Sequence, residues 1–114
     1  MQVSWAGVFP AATTQFRPDL SIDIAETQRV QDALIRDGVH GLIIMGTVGE
    51  NNSLLPEEKR DVLRAAVEVV NRRAPVLVGV SEFDTNRAIA FARDAEKIGA
   101  ETVTYVSNIY KYYI

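Results

Sequence analysis

The chain has no cysteine, a single histidine and only three lysines among its 114 residues. Without cysteine there is neither a disulfide framework nor a thiolate metal site. A lone His40 gives no basis for a histidine-built metal centre, so neither metal nor cofactor is expected. Basic residues number 12 against 15 acidic ones, a net charge of −3. That balance disfavours nucleic acid and anionic membranes, both of which call for a basic face. No apolar run approaches the roughly 20 residues needed to span a bilayer. The opening Met1-Gln2-Val3-Ser4-Trp5 lacks the basic-then-apolar layout of a signal peptide, and a cytoplasmic location is the default expectation. What remains is ordinary for a soluble domain, with 47% hydrophobic and 24% charged residues. The length suffices for one domain with a real core.

Hydrophobic patterning divides the chain into alternating strands and helices. Ala6 to Ala12 reads as a first strand, with Thr13 and Thr14 just beyond it. After a loop with Pro18 and Asp19, Ser21 or Asp23 can cap a helix running to about Asp37, and Asp23 with Glu26 has capping-box spacing. Ile24, Ala25, Val30, Ala33 and Leu34 give that helix a broken apolar stripe, and Gly38 suits its left-handed terminus. His40 to Met45 is a continuous apolar run, the pattern of a strand covered on both faces in a parallel sheet. Pro56 fits the first turn of a second helix. Val62, Leu63, Ala66, Val67 and Val70 form its apolar face, with Arg72 and Arg73 in the last turn. Pro75 to Val80 is a third strand, and Asp84 or Thr85 caps a third helix that Gly99 ends. Thr102 to Val106 reads as a fourth strand, and residues 102–114 form an atypical tail with no clear continuation. The order β-α-β-α-β-α-β, with right-handed crossovers, specifies an α/β fold with about four parallel strands and three helices.

Ligands of parallel sheets bind at the carboxyl ends of the strands. Here those ends carry Thr13 and Thr14, then Thr47 to Glu50, then Ser81 to Asp84. The turn Gly46-Thr47-Val48-Gly49-Glu50 is the leading candidate site. Thr47's hydroxyl and the nearby N–H groups could hold a carboxylate or phosphate, and Gly46 and Gly49 would let the backbone approach closely. The alternative is a tight turn whose hydroxyl satisfies local backbone groups. The spacing matches neither a dinucleotide fingerprint nor a phosphate-binding loop with its Lys-Ser/Thr. Glu50 could act as acid or base, but the favoured role is bonding N–H groups of its own loop. His40 should lie at the opposite face. Lys59 and Lys97 sit in helices, away from the dry strand-end position that would make an amine suitable for imine chemistry. Lys111 falls in the tail.

Gly46-Thr47-Val48-Gly49-Glu50 resembles the Gly-Thr-Thr-Gly-Glu or Gly-Ser-Thr-Gly-Glu motif of the dihydrodipicolinate synthase / N-acetylneuraminate lyase family. Pro10-Ala11-Ala12-Thr13-Thr14-Gln15-Phe16, Ser53-Leu54 before Glu57-Glu58, and Pro75 to Val80 are similar to the family's flanking segments, so the likeness covers roughly residues 5 to 101. It implies the N-terminal half of a (β/α)8 barrel. The implied activity is that of a class I aldolase-type lyase or dehydratase, which forms a Schiff base with pyruvate or another 2-oxo acid through a sixth-strand lysine, with a fifth-strand tyrosine moving protons. Thr47 and the backbone of Val48 would then hold the carboxylate, with Gly46 and Gly49 shaping the turn and Thr14 and Glu50 supporting it. Val48 replaces the motif's second hydroxyl, which favours a divergent lyase or dehydratase.

Eight βα units need about 250 residues, and this chain carries about three and a half units. The imine lysine and shuttle tyrosine have no counterpart here, so the chain alone is expected to be inactive. An incomplete barrel with open sheet edges is expected to self-associate or form a homo-oligomer. The rival readings are a non-catalytic, flavodoxin-like anion-binding module and a purely structural or interaction fragment.

Overall fold

The computed structural model describes residues 3–104, with side chains through residue 101. The expected tail beyond residue 104, with Lys111 and the four tyrosines, lies outside the described residues. Three helices alternate with three strands: α1 (Ile24–Arg36), β1 (Leu42–Ile44), α2 (Pro56–Val70), β2 (Val76–Val80), α3 (Thr85–Ile98) and β3 (Glu101–Thr104). A single 3-10 turn, Asn51–Ser53, interrupts the path from β1 to α2. The sheet is parallel and its order follows the chain, β1-β2-β3. Leu42 lies opposite Val76, and Leu77 opposite Glu101.

The first expected strand is only partly realised. Ala11 makes one parallel bridge to Ile43, and Ile43 N–H donates to Pro10 O at 2.9 Å. Ala12 N–H donates to Ile43 O at 2.8 Å, and His40 N–H to Val8 O at 2.8 Å. The segment therefore lies beside β1 as a fourth parallel element without a full ladder. Pro10 has no N–H to contribute, and the Val8 N–H turns to His40 Nδ1 at 2.9 Å.

Helix ends follow their capping residues. Asp23 Oδ1 accepts from Glu26 N–H at 3.0 Å, and Asp84 Oδ1 from Arg87 N–H at 2.8 Å. The reciprocal capping-box bond is replaced: Asp23 N–H donates to Gln15 O at 2.8 Å, and the Glu26 carboxylate takes the Arg29 guanidinium. Gly38 and Gly99 adopt φ of 97° and 108°, the left-handed exits expected of them. α2 stops at Val70, before the arginines expected in its last turn, because Asn71 turns left-handed. Arg73 nevertheless reaches back and donates to Val69 O at 2.7 Å and Val70 O at 3.0 Å. α1 departs from its expected stripe: Thr27 and Gln31 are its fully buried residues, while Ala25 is exposed.

The core lies between the sheet and the helices. Leu42, Ile44 and Val78 meet Val62, Leu63, Ala66 and Val70 of α2 and Phe91 and Ala95 of α3. All five residues of β2 are buried, as expected of a parallel strand covered on both faces.

Candidate functional site

β1 ends when Met45 enters the left-handed region at φ 59°, and Glu50 does the same at φ 64°. Two non-glycine residues in this conformation bracket the Gly46–Glu50 turn, each at a cost on the order of 1 kcal/mol. The turn closes on itself through Glu50 N–H to Thr47 O at 3.0 Å and Asn51 N–H to Gly46 O at 3.3 Å. It is also pressed against its neighbours. A methyl group at Gly49 would meet Met45 N at 3.0 Å and Ala12 O at 3.2 Å. One at Gly79 would meet Met45 O at 2.9 Å. Among the described residues, a methyl group at Gly46 would meet nothing within 4 Å, which leaves that side of the backbone open to them.

Side-chain bonds tie together the loops at these strand exits. Thr14, at 8% exposure, donates its hydroxyl to Gly49 O at 2.7 Å. Asn51, at 3% exposure, donates from Nδ2 to Ser81 O at 3.1 Å, and its buried Oδ1 has no partner among the described residues. Lys59 of α2 reaches Glu82, two residues beyond β2, with Nζ 3.2 Å from both carboxylate oxygens. The expected site residues thus gather at one end of the sheet, linked to the exits of the flanking strands.

Thr47 and Val48 are exposed at the tip of the turn. Among the described residues, no protein group bonds the Thr47 hydroxyl, and no carbonyl takes the N–H of Thr47 or Val48. The alternative in which Thr47 satisfies its own loop is therefore not the arrangement found. Glu50 also differs from expectation. Its backbone N–H closes the turn and its carbonyl accepts from Ser53 N–H in the 3-10 turn that follows, while its carboxylate is exposed and makes no bond to the loop's N–H groups among the described residues. Lys59 is a further correction: expected away from the dry strand ends, it is 6% exposed and extends from α2 to Glu82 at the exit of β2. Its partner lies 23 residues away in another βα unit, so helical position alone could not reveal it. Gly79 did carry a signal, since a glycine inside a strand marks close backbone approach.

The Dihydrodipicolinate synthetase family model matches residues 4–113. The chain belongs to this family. Relatives within it include the 4-hydroxy-tetrahydrodipicolinate synthase of Salinibacter ruber, 38% identical over 91% of this chain and 34% of that protein. The E. coli K12 prophage protein YagE, of the dihydrodipicolinic acid synthase family and solved in complex with pyruvate, superposes with a TM-score of 0.83 at 34% identity. That match covers 88% of this chain and 34% of YagE. A structure described as the first monomeric dihydrodipicolinate synthase variant superposes with a TM-score of 0.79 at 30% identity, over 85% of this chain and 32% of its own. The chain spans about a third of the length of the curated relatives it matches. It therefore carries part of the dihydrodipicolinate synthetase family's (β/α)8 barrel, and the parallel β1-β2-β3 order is a run of that barrel's βα units. Among the described residues no helix is long and apolar enough to cross a membrane.

Proposed function

We propose that the Gly46–Glu50 turn is the carboxylate-binding part of a Schiff-base-forming lyase or dehydratase acting on pyruvate or another 2-oxo acid. One observation carries the reading: the turn is strained and braced by Thr14 and Asn51, yet its exposed tip keeps a hydroxyl and N–H groups without partners among the described residues. Groups fixed in advance at a helix-free tip of this kind favour an anion, because little ordering remains to be done on binding. Thr47 Oγ1 and the N–H groups of Thr47 and Val48 take the carboxylate. Gly46 leaves room for it, Gly49 seats the turn, Thr14 braces Gly49, and Glu50 closes the loop. Pyruvate bound to YagE supports the choice of acid.

The imine belongs to an amine that the described residues do not offer at the turn. Lys59 is held by Glu82, and Lys97 is exposed in the last turn of α3. The 114-residue polypeptide by itself therefore binds the acid without forming a covalent adduct. Exposed Val48, Leu55 and Phe83, at 54%, 66% and 88%, lie on the loops after β1 and β2 and support self-association of the chain. We place the protein in the cytoplasm, with no nucleic acid or membrane partner.

The test is an NMR titration of the polypeptide with pyruvate. Amide shifts are expected at Thr47, Val48 and Gly49. Thr47→Ala should weaken the response about tenfold, the size of one hydrogen bond to a charged group, with stability unchanged within about 0.5 kcal/mol. Borohydride should leave the mass unchanged. Shifts confined to other regions, or none, would refute the reading.

A further inference from the structure

We infer that Lys59 and Glu82 are positioning residues for the candidate site: the ion pair fixes the loop after β2, and through it the far end of the Thr47 turn. The inference builds on the proposed role of that turn. Lys59 is the one charged residue in the buried set among the described residues, and its side chain and that of Glu82 are 8% and 12% exposed. Nζ is equidistant from both carboxylate oxygens, at 3.2 Å, and lies 6.0 Å from the centre of the fully buried Phe91 ring. The ring face and the carboxylate together leave the ammonium one direction in which to point.

From Glu82 the connection runs to the turn in two steps. The preceding residue, Ser81, presents its carbonyl to Asn51 Nδ2 at 3.1 Å. Asn51 in turn donates its backbone N–H to Gly46 O at 3.3 Å, which closes the turn. A displacement of Glu82 therefore moves the acceptor that holds Asn51, and Asn51 is the last anchor of the segment carrying Thr47. Thr14 and Gly49 fix the other side of that segment independently, at 2.7 Å.

Energetics favour positioning over stabilisation as the role of the pair. Removing two charges from water costs about as much as their attraction returns, and apolar replacement of a whole buried pair is often neutral or stabilising. What such a pair supplies is direction: a carboxylate between β2 and α3 is drawn to one point on α2.

The test replaces both members at once, Lys59→Met with Glu82→Leu, in the 114-residue polypeptide. No unpaired charge remains, and melting is expected at or above the parent's temperature. Amide exchange at Asn51 and at Ser81 to Phe83 should nevertheless accelerate at least tenfold, and the pyruvate response at Thr47 should weaken at least tenfold. A pair that only stabilised the fold would lower the melting temperature instead. Parent-like protection in both loops would overturn the inference. Should the double variant fail to fold, Lys59→Arg, which keeps the charge with a different reach, is decided by the same exchange measurement: severalfold faster exchange supports positioning, and unchanged protection overturns it. A parent that ignores pyruvate refutes the proposed function alone and leaves exchange to decide the role of the pair.

Discussion

The two ends of the sheet are closed by different means. At the N-terminal ends of the strands the turns satisfy themselves: Gly38 N–H bonds Ile35 O, and Gly99 N–H bonds Ala95 O and Glu96 O. The long-range bonds there, Arg73 to Asp32 and Val8 to His40, lie at the surface. At the C-terminal ends the bonds join different βα units and run inside the protein, from Thr14 to Gly49, Asn51 to Ser81 and Lys59 to Glu82. Local closure is enough where a chain need only reverse. Where loops from several strands must present groups to one ligand, their relative positions have to be fixed, and only bonds between units do that.

Substitution can break this contrast. The largest effect is expected at Gly79→Ala, whose new methyl group would meet Met45 O at 2.9 Å. Backbone on backbone cannot rotate away, and overpacking of this kind costs about 1–3 kcal/mol. Chemical denaturation would measure the loss, and pyruvate-dependent shifts at Thr47 should fall with it. Thr14→Val keeps the shape but leaves the buried Gly49 carbonyl without its donor. A loss of about 1–2 kcal/mol is expected, and an unchanged midpoint would show that this brace is dispensable.

The smallest effect is expected from acid. An Arg73 hydrogen bond, and then the charges of Arg36 and Arg73, hold the Asp32 carboxyl below its ordinary value of 3.8, against a partial opposing effect of desolvation. An Arg60 hydrogen bond does the same first for Asp94. A carboxyl lowered by folding contributes stability that is complete above its unfolded value and drains as pH falls through the folded one. Stability from these pairs should therefore be flat down to about pH 4 and decline below it. Asp32→Asn or Asp94→Asn should flatten that decline in thermal melts. A decline beginning near neutrality would point to other groups.

Features that depend on neighbours in sequence were legible. Asp23, Asp84, Gly38 and Gly99 marked helix ends because capping acts within a few residues. The unbroken apolar runs ending at Met45 and Val80 identified buried parallel strands, and the small polar turn after Met45 marked the candidate site. Features set by distant partners were hidden. Nothing near Lys59 announces Glu82, and nothing near Asn51 announces the Ser81 carbonyl. Two local effects were also misjudged. Pro10 and the diversion of the Val8 N–H to His40 reduce the first strand to a single bridge. The left-handed Asn71 ends α2 ahead of its arginines.

The sheet grows outward in the order in which its strands are written, with each parallel strand beside its predecessor. During synthesis, every strand that leaves the ribosome finds its partner already made. Among the described elements, each strand can thus pair with its predecessor as it is made, and the helix that follows can cover the face so formed.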